Sequence, residues 1–333
     1  KNADVIWVIG ANPTVNHPVA ATFIKNAAKN GSKLFILDPR GQALDRYAQD
    51  TLNFIPGTDV SLLNGVIHTI IKEKLYNKKY VETQTIGFEE LKKSTQNFSP
   101  ENMEKICGIP ANRIKNLARE YANSKSIIFW GMGISQHTHG TDNARCLISL
   151  ALLTGNIGLP GTGLHPLRGQ NNVQGASDAG LIPMFYPDYK SVEGEHGTIM
   201  SDFWHTELEN KKGLTVVEII NSAYEGNLKG LYIMGENPAM SDPDQNHARK
   251  ALANLEFLVV QDIFPTETSA FADVILPASA WPEKDGTVTN TDRKVQIGRK
   301  AVPLPGEAKQ DWWIIKEIGV QMGLNWNYDS PKE

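Results

Sequence analysis

One short segment occurs twice in this chain of 333 residues, each time as an apolar run that ends in Gly-x-Asn-Pro. The first copy is Val5–Pro13 (VIWVIGANP) and the second is Leu231–Pro238 (LYIMGENP). A nearly continuous apolar run predicts a strand buried on both faces of a parallel sheet. Because parallel strands need crossover helices, the repeat indicates an α/β fold made of two related halves.

The spacing that follows each copy is also repeated. Gly10 is followed after 28 residues by Asp38, at the end of the next predicted strand, and Gly235 after 27 residues by Asp262. A third predicted strand in each half then ends in proline and a small hydroxyl residue. We therefore predict two related, doubly wound α/β domains, residues 1–170 and 171–333, with a loop and strand excursion at 283–311.

Apolar runs, caps and breakers locate the other elements. Strands are predicted at 33–38, 52–55, 126–130, 230–235, 257–262 and 273–276, and helices after 59, from 99 and 109, and at 142–153, 245–253 and 311–322. A helix that opens at His17-Pro18 is predicted to have Val19, Phe23 and Ala27 on one apolar face and to end at Gly31. Residues 155–180 show no hydrophobic period, which predicts a loop of 26 residues between the domains.

Ligands of open α/β sheets bind beyond the carboxyl ends of the strands. Glycine there lets the backbone approach a phosphate, and a short amide or carboxylate can recognise ribose or base. The repeated set therefore predicts two nucleotide sites, formed by Gly10, Asn12 and Asp38 and by Gly235, Asn237 and Asp262. The alternative is that Gly-x-Asn-Pro is only a tight turn, with the aspartate as a helix cap. Gly131-Met132-Gly133 lacks the third glycine of an ordinary NAD-binding fingerprint.

The segment at 155–180 holds seven glycines and five side-chain amides around one arginine. Such a loop suits a large polar heterocyclic ligand, because amides both donate and accept and glycines allow close approach. Arg168 is always charged, and its fork can bind a small carboxylate. The alternative is an interdomain linker with Arg168 in a surface ion pair.

Charge and cysteine content exclude several classes of protein. A net charge of −4 excludes a broad basic surface for nucleic acid, and no apolar run is long enough for a membrane span. The two cysteines, Cys107 and Cys146, lie 39 residues apart, so this sequence alone builds neither a cysteine zinc site nor an iron–sulfur cluster. We predict no metal ligands among these residues.

The eight histidines do not form a metal-binding pattern either. His137-x-His139 has no acid or third ligand at useful spacing, which favours a polar loop near a cofactor. His17 is interpreted as a helix entry and His68 as a solvated residue, and His165 could approach the site of Arg168.

The segment Arg168–Gly175 (RGQNNVQG) closely resembles the signature loop of molybdenum- or tungsten-dependent formate dehydrogenases. Further blocks resemble the same bis-molybdopterin guanine dinucleotide (bis-MGD) oxidoreductase family, and together they cover essentially the whole chain: GANP, LDPR, PGTD, GMG, TGNIGLPG, MGENP, QDIF and ADVILPA. The resemblance implies oxidation of formate to CO2, with one guanine dinucleotide bound by each α/β domain.

The resemblance also implies roles for individual residues. It places Gly10, Asn12, Asp38, Arg40, Gly57 and Asp59 in the first dinucleotide pocket, with Gly131 and Gly133 also at the cofactor, and Gly235, Asn237, Asp262 and Thr266 in the second pocket. Arg168 would orient formate, and Gln170 would lie beside the metal centre.

The family's cysteine-rich [4Fe–4S] segment, its cysteine or selenocysteine metal ligand and its C-terminal cap domain are not found in this sequence. We therefore expect a central fragment that is inactive alone, a cytoplasmic location, and electron-transfer subunits or domains as partners of the whole enzyme. Two alternatives remain: a structural subunit that kept the fold, as in the large iron–sulfur subunit of respiratory complex I, or another molybdenum enzyme acting on nitrate or an arsenic oxyanion.

Overall fold

The first strand, β1 (Val5–Ile9), is buried along its whole length, as its five consecutive apolar residues require of a central strand. The computed structural model describes residues 2–333. The chain forms two compact units, Lys1–Gly169 and Gln170–Glu333. The assignment of one dinucleotide to each unit stays a prediction.

The first unit contains a five-stranded parallel sheet in the order β3-β2-β1-β4-β5. Its other strands are β2 (Lys33–Leu37), β3 (Asp50–Leu52), β4 (Ser126–Trp130) and β5 (Gly163–Pro166). Its helices are α1 (Pro13–Asn16), α2 (Pro18–Lys29), α3 (Asp59–Lys72), α4 (Lys78–Gln84), α5 (Phe88–Ser94), α6 (Pro100–Cys107), α7 (Ala111–Ala122), α8 (Met132–Ser135) and α9 (Gly140–Thr154).

Alternating residues of β1 serve two different cores. Trp7 faces the core shared with α3, α7 and α9, where its ring centroid lies 4.6 Å from that of Tyr121 and both side chains are fully buried. Val8 faces the opposite core, with Ile24 of α2 and Ile36 of β2. Helices on both faces explain why β1 carries no polar residue.

Three predictions about the first unit are wrong. Helix α2 buries Ala21 and Ile24, while Val19 and Phe23 are exposed, because the contacting stripe is rotated from the predicted one. The third strand is Asp50–Leu52 rather than 52–55, since pairing with β2 ends when the chain turns toward Pro56. His68 is not solvated: it is half-buried and donates from Nδ1 to the carbonyl of Thr95, 3.0 Å away.

The predicted long loop at 155–180 is also wrong. Strand β5 lies inside it and extends the sheet by parallel pairing with β4, and a short helix, α10 (Val173–Asp178), follows the arginine. Hydrophobic periodicity predicts neither β5 nor α10, because each is short and rich in glycine or amides.

The second unit has a three-stranded parallel sheet in the order β10-β9-β8. The strands of the whole second unit are β6 (Phe185–Tyr186), β7 (Lys190–Ser191), β8 (Gly230–Met234), β9 (Phe257–Asp262), β10 (Val274–Pro277), β11 (Gly286–Thr289) and β12 (Val295–Gly298). Its helices after α10 are α11 (Glu195–Trp204), α12 (Val216–Tyr224), α13 (Pro238–Ser241), α14 (Gln245–Ala253) and α15 (Asp311–Gln321). Strands β11 and β12 form an antiparallel hairpin within the predicted 283–311 excursion.

The internal repeat is present in the backbone. The order β10-β9-β8 reproduces β3-β2-β1, and α13 follows β8 as α1 follows β1. The Gly10 N–H donates to the carbonyl of Leu37 at 3.1 Å, and the Gly235 N–H donates to that of Gln261 at 2.9 Å. Each acceptor immediately precedes a candidate aspartate. The mixed α/β fold with parallel sheets that the sequence predicts is confirmed.

A polar network connects the second sheet to α15. The fully buried Gln261 donates from Nε2 to Asp311 Oδ1 at 2.8 Å and accepts the Tyr232 hydroxyl. Asp311 Oδ2 accepts from Ser279 Oγ at 3.2 Å and from the ammonium of Lys284. The carboxylate therefore accepts from three donors, one on β9 and two in the segment between β10 and β11.

Among the described residues, no helix has the length and apolar character that crossing a membrane would require.

Candidate functional site

A cavity of about 650 Å³ opens at the carboxyl ends of β1, β2 and β4. Ligand pockets are typically about 300–1,000 Å³, so its size suits a nucleotide. The lining combines backbone turns with charged side chains; the candidates it includes are Gly10, Asn12, Asp38, Arg40, Asp59 and Gly133. The structure thus brings together six first-half residues singled out in the sequence.

Two glycine turns meet backbone to backbone at the wall of this cavity. Gly10 has φ +56°, and a Cβ built on it would lie 2.7 Å from the carbonyl carbon of Gly133. A Cβ on Gly133 would lie 2.6 Å from the Gly10 oxygen. The Gly133 N–H donates to that same oxygen at 3.0 Å. Only glycine at both positions permits this approach, which leaves main-chain atoms facing the cavity.

Asp38 is held at the end of β2 with 8% of its surface exposed. The Arg40 N–H donates to its Oδ1 at 2.9 Å, and Asn53 Nδ2 donates to its carbonyl oxygen at 2.8 Å. Burial raises the pKa of Asp38, against the smaller opposing effects of the Arg40 N–H and guanidinium. This fixed carboxyl is suited to accept N–H groups of a ligand base.

Asp59 begins α3 and is 3% exposed. Burial raises its pKa, while its own N–H and the charge of His137 act in the opposite direction. His137 also lines the cavity. His139 instead lies 3.5 Å from the Asp142 carboxylate.

Two further candidates lie outside this lining. Gly57 is exposed in the turn before α3. Gly131 is buried at the end of β4, where a Cβ would come within 2.9 Å of the Ala11 side chain. Gly131 therefore serves close packing beneath the cavity wall.

The second-half candidates Gly235, Asn237, Asp262 and Thr266 lie around the carboxyl ends of β8 and β9. Asn237 Oδ1 accepts from the N–H and hydroxyl of Thr268, at 3.1 and 2.8 Å, and Nδ2 donates to Glu267 at 2.7 Å. Thr266 belongs to the same turn, because its N–H donates to Ser269 Oγ at 2.8 Å. The amide of Asn237 thus holds the turn that follows β9.

The counterpart of this amide in the first half has a different partner. Asn12 Oδ1 accepts only a local bond from the Thr14 hydroxyl, at 2.6 Å, among the described residues. Asp262 accepts from the Ile263 N–H at 2.6 Å, as Asp38 does from the N–H of Arg40. The two halves share a backbone plan and differ in how their asparagines are used.

Arg168 follows β5, and its Nε is buried without a hydrogen-bond partner among residues 2–333. An unpartnered buried donor is costly unless a ligand satisfies it. Gln170 is exposed at the start of the second unit. His165 packs against Phe129, with ring centroids 5.3 Å apart.

Three contacts around the candidate residues are not predicted by the sequence. His17 donates from Nε2 to the Arg168 carbonyl at 2.7 Å. Asn172, with φ +59°, accepts the Thr289 N–H at 2.9 Å and so joins the amide loop to the β11–β12 hairpin. Thr268 holds Asn237. Each joins residues far apart in sequence, and only the Asn-Asn pair at 171–172 hinted at a positive φ.

No group of three or more histidine, cysteine or acidic side chains that could hold a metal ion occurs within residues 2–333. Both cysteines are buried and free, and Cys107 is a core residue as predicted.

Comparisons with known proteins agree with this architecture. The family described as molybdopterin oxidoreductase matches residues 1–321. Acetylene hydratase from Pelobacter acetylenicus has a similar structure, with a TM-score of 0.75 over 97% of this chain and 47% of that one. At 23% identity, this likeness shows the fold alone.

Other relatives share more of their sequence with this chain than acetylene hydratase does. The F420-dependent formate dehydrogenase subunit alpha of Methanocaldococcus jannaschii is 47% identical over 99% of this chain and 49% of its own length. Formate dehydrogenase H of Escherichia coli is 42% identical over 100% of this chain and 47% of its own length. The chain thus spans about half the length of the curated relatives it matches, and it belongs to the molybdopterin oxidoreductase family.

Proposed function

We propose that this chain is the cofactor-binding portion of a formate dehydrogenase that oxidises formate to CO2 at a molybdenum or tungsten bis-MGD centre. The family match supports a molybdopterin cofactor, and the relatives named as formate dehydrogenases support formate as the substrate. Formate gives up two electrons and one proton as it becomes CO2, and the bound cofactor supplies this redox chemistry.

The first guanine dinucleotide is assigned to the cavity of the first unit. Its residues fit such a ligand: the Gly10 and Gly133 turns admit close approach, Asp38 and Asp59 offer acceptors for guanine N–H groups, and Arg40 offers a cation for a phosphate. The second dinucleotide is assigned to the turns around Gly235 and Asp262, whose backbone arrangement repeats that of the first half.

Arg168 is assigned to formate. A guanidinium binds a carboxylate with two parallel N–H bonds, which fixes the orientation of a small substrate. The observation that carries this assignment is the buried Nε of Arg168, which is unpartnered within residues 2–333 and available to an anion. Gln170 is placed beside the metal centre, where its amide can donate or accept.

Replacement of Arg168 in the intact, metal-loaded enzyme tests the assignment. Arg168→Ala is expected to raise the formate KM by about a hundredfold, as lost charge-assisted bonds cost roughly 1.5–3 kcal/mol, and Arg168→Lys by less. The control is Arg145→Ala, since Arg145 is an exposed arginine on α9. Metal and pterin content should be equal in all variants. An unchanged formate KM in Arg168→Ala would remove its assigned role.

The 333 residues alone are expected not to turn over formate, because the resemblance implies a metal-ligating cysteine or selenocysteine followed by histidine, and this sequence does not contain that pair. The measurement is formate-dependent reduction of an artificial electron acceptor by the isolated chain with cofactor added. In the whole enzyme, the electrons pass to electron-transfer subunits or domains.

A guanine nucleotide tests the two dinucleotide sites separately. Binding should weaken in Asp38→Ala and in Asp262→Ala, and each variant should affect one of two sites. Loss of both sites in either single variant would contradict the assignment of one site to each unit.

A further inference from the structure

His17 joins the segment that lines the cavity at Asn16 to the loop that carries Arg168. Its ring Nε2 donates to the Arg168 carbonyl oxygen at 2.7 Å, although the two residues are 151 positions apart. Since a carbonyl can only accept, Nε2 carries the proton. Its other ring nitrogen lies 2.8 Å from Oδ1 of Asn16, a residue that lines the cavity.

The backbone of His17 is itself fixed on both sides. It ends α1, where its N–H donates to the Pro13 carbonyl at 2.9 Å, and it precedes α2, where its carbonyl accepts the Ala21 N–H at 2.9 Å. Pro18 follows it and has a fixed φ. The imidazole is therefore presented from a rigid corner between two helices.

The loop at Arg168 is anchored unequally. On one side Leu167 is buried, and its N–H donates to the Trp130 carbonyl at 2.7 Å, at the end of β4. On the other side stands Gly169, which has no Cβ to limit rotation and lies exposed. The carbonyl between Arg168 and Gly169 is the atom that His17 binds.

The geometry points to His17 as a positioning residue for the substrate arginine. Its hydrogen bond fixes the peptide plane that follows Arg168, and that plane sets the direction in which the guanidinium leaves the loop. His17 touches neither substrate nor reacting atoms in this role; it acts through Arg168. The inference rests on the proposed function in one respect, that Arg168 binds formate.

The test compares two replacements of His17 in the intact enzyme. His17→Ala removes the donor, whereas His17→Gln keeps an N–H at nearly the position of Nε2. We expect His17→Ala to raise the formate KM about fivefold to tenfold, the size of one hydrogen bond, with kcat within about twofold. His17→Gln should restore KM to within about twofold of the unchanged enzyme. His247→Ala is the control, a histidine on α14 whose ring lies 3.0 Å from Asn221 Oδ1.

Hydrogen exchange gives a readout independent of activity. Amide exchange in the peptide spanning 167–172 should speed up in His17→Ala and return to normal in His17→Gln, with metal and pterin content unchanged. If His17→Ala does not fold, His17→Leu takes its place, because leucine fills space but cannot donate.

The outcomes separate the two proposals. If Arg168→Ala raises the formate KM but neither the KM nor the exchange rate changes in His17→Ala, the positioning role is overturned and the formate role stands. If Arg168→Ala leaves the KM unchanged, the formate role fails. Faster exchange in His17→Ala then still supports the backbone clamp, and unchanged exchange overturns it.

Discussion

Gly10 and Gly133 lie so close that a single added methyl group has no room: a Cβ on Gly10 would meet the Gly133 carbonyl carbon at 2.7 Å and the Ile134 nitrogen at 2.8 Å. The equivalent glycine of the second half, Gly235, has nothing within 4 Å of its hypothetical Cβ. Both have positive φ, +56° and +66°. The repeat therefore contains an internal control for the cost of crowding.

We predict that Gly10→Ala lowers the free energy of unfolding by about 3 kcal/mol, since backbone strain and overpacking add. Gly235→Ala should cost about 1 kcal/mol, from the positive φ alone. Denaturant unfolding of both variants measures the difference. Equal losses would show that the contact between the two turns relaxes freely.

Asp38 should reduce stability at neutral pH. Burial raises its pKa above the ordinary value of 3.8, so the folded state holds the proton more tightly than the unfolded state. The protonated carboxyl therefore contributes its full stabilisation below about pH 3.8, and this contribution is lost as pH rises through the raised pKa of the folded state. Asp38→Asn keeps an acceptor for the Arg40 N–H and removes the charge.

Asp38→Asn is thus expected to unfold less readily than the unchanged protein at pH 7 and to bind guanine nucleotide more weakly. Chemical denaturation between pH 4 and 8 measures the first effect and nucleotide titration the second. The exposed Asp188, changed to asparagine, is the control. Lower stability of Asp38→Asn at neutral pH would contradict the sign of the pKa shift.

Asn172→Ala should destabilise the protein more than Asn172→Gly. It accepts the Thr289 N–H at 2.9 Å and has φ +59°. Asn172→Gly loses the hydrogen bond, about 1 kcal/mol, while Asn172→Ala also adds about 1 kcal/mol of backbone strain. Hydrogen exchange across 286–298 reports the release of the hairpin. Faster exchange in the glycine variant than in the alanine variant would count against this explanation.

Removing the Asp311 carboxylate alone should destabilise the protein more than removing the charges of Asp311 and Lys284 together. Both side chains keep about a quarter of their exposure, 25% and 24%, so Asp311→Ala should cost about 2 kcal/mol, less than for a fully buried pair. Removing both charges as Asp311→Leu with Lys284→Met should recover part of the loss. A double-mutant cycle of thermal unfolding measures this coupling. Strict additivity would argue against the ion pair.

The features that depend on apolar runs and on the order of strands along the chain can be predicted from the sequence. Gly10 and Asp38 meet because parallel strands share a carboxyl edge, and a buried strand such as Val5–Ile9 is evident from its apolar run. The predicted face of α2 is wrong because Val19 and Phe23 are apolar but remain exposed, so composition does not identify the packed side.

Contacts between distant loops were outside the reach of a pattern. Nothing near His17 indicates that its ring reaches Arg168, and nothing near Asn172 identifies Thr289 as its donor. Such pairs depend on where the strands deliver each loop, which no single window of sequence contains. The composition of the amide loop is evident from the sequence, whereas its attachments to other segments depend on the fold.

The duplicated turn is held by main-chain atoms: Gly10 bonds to the Leu37 carbonyl and Gly235 to that of Gln261. The shape of the turn therefore does not depend on the side chains beside it. Asn12 and Asn237 have already taken different partners on this common backbone. A substitution at either asparagine can consequently change the side-chain contacts of one half while the main-chain turns of both halves are kept.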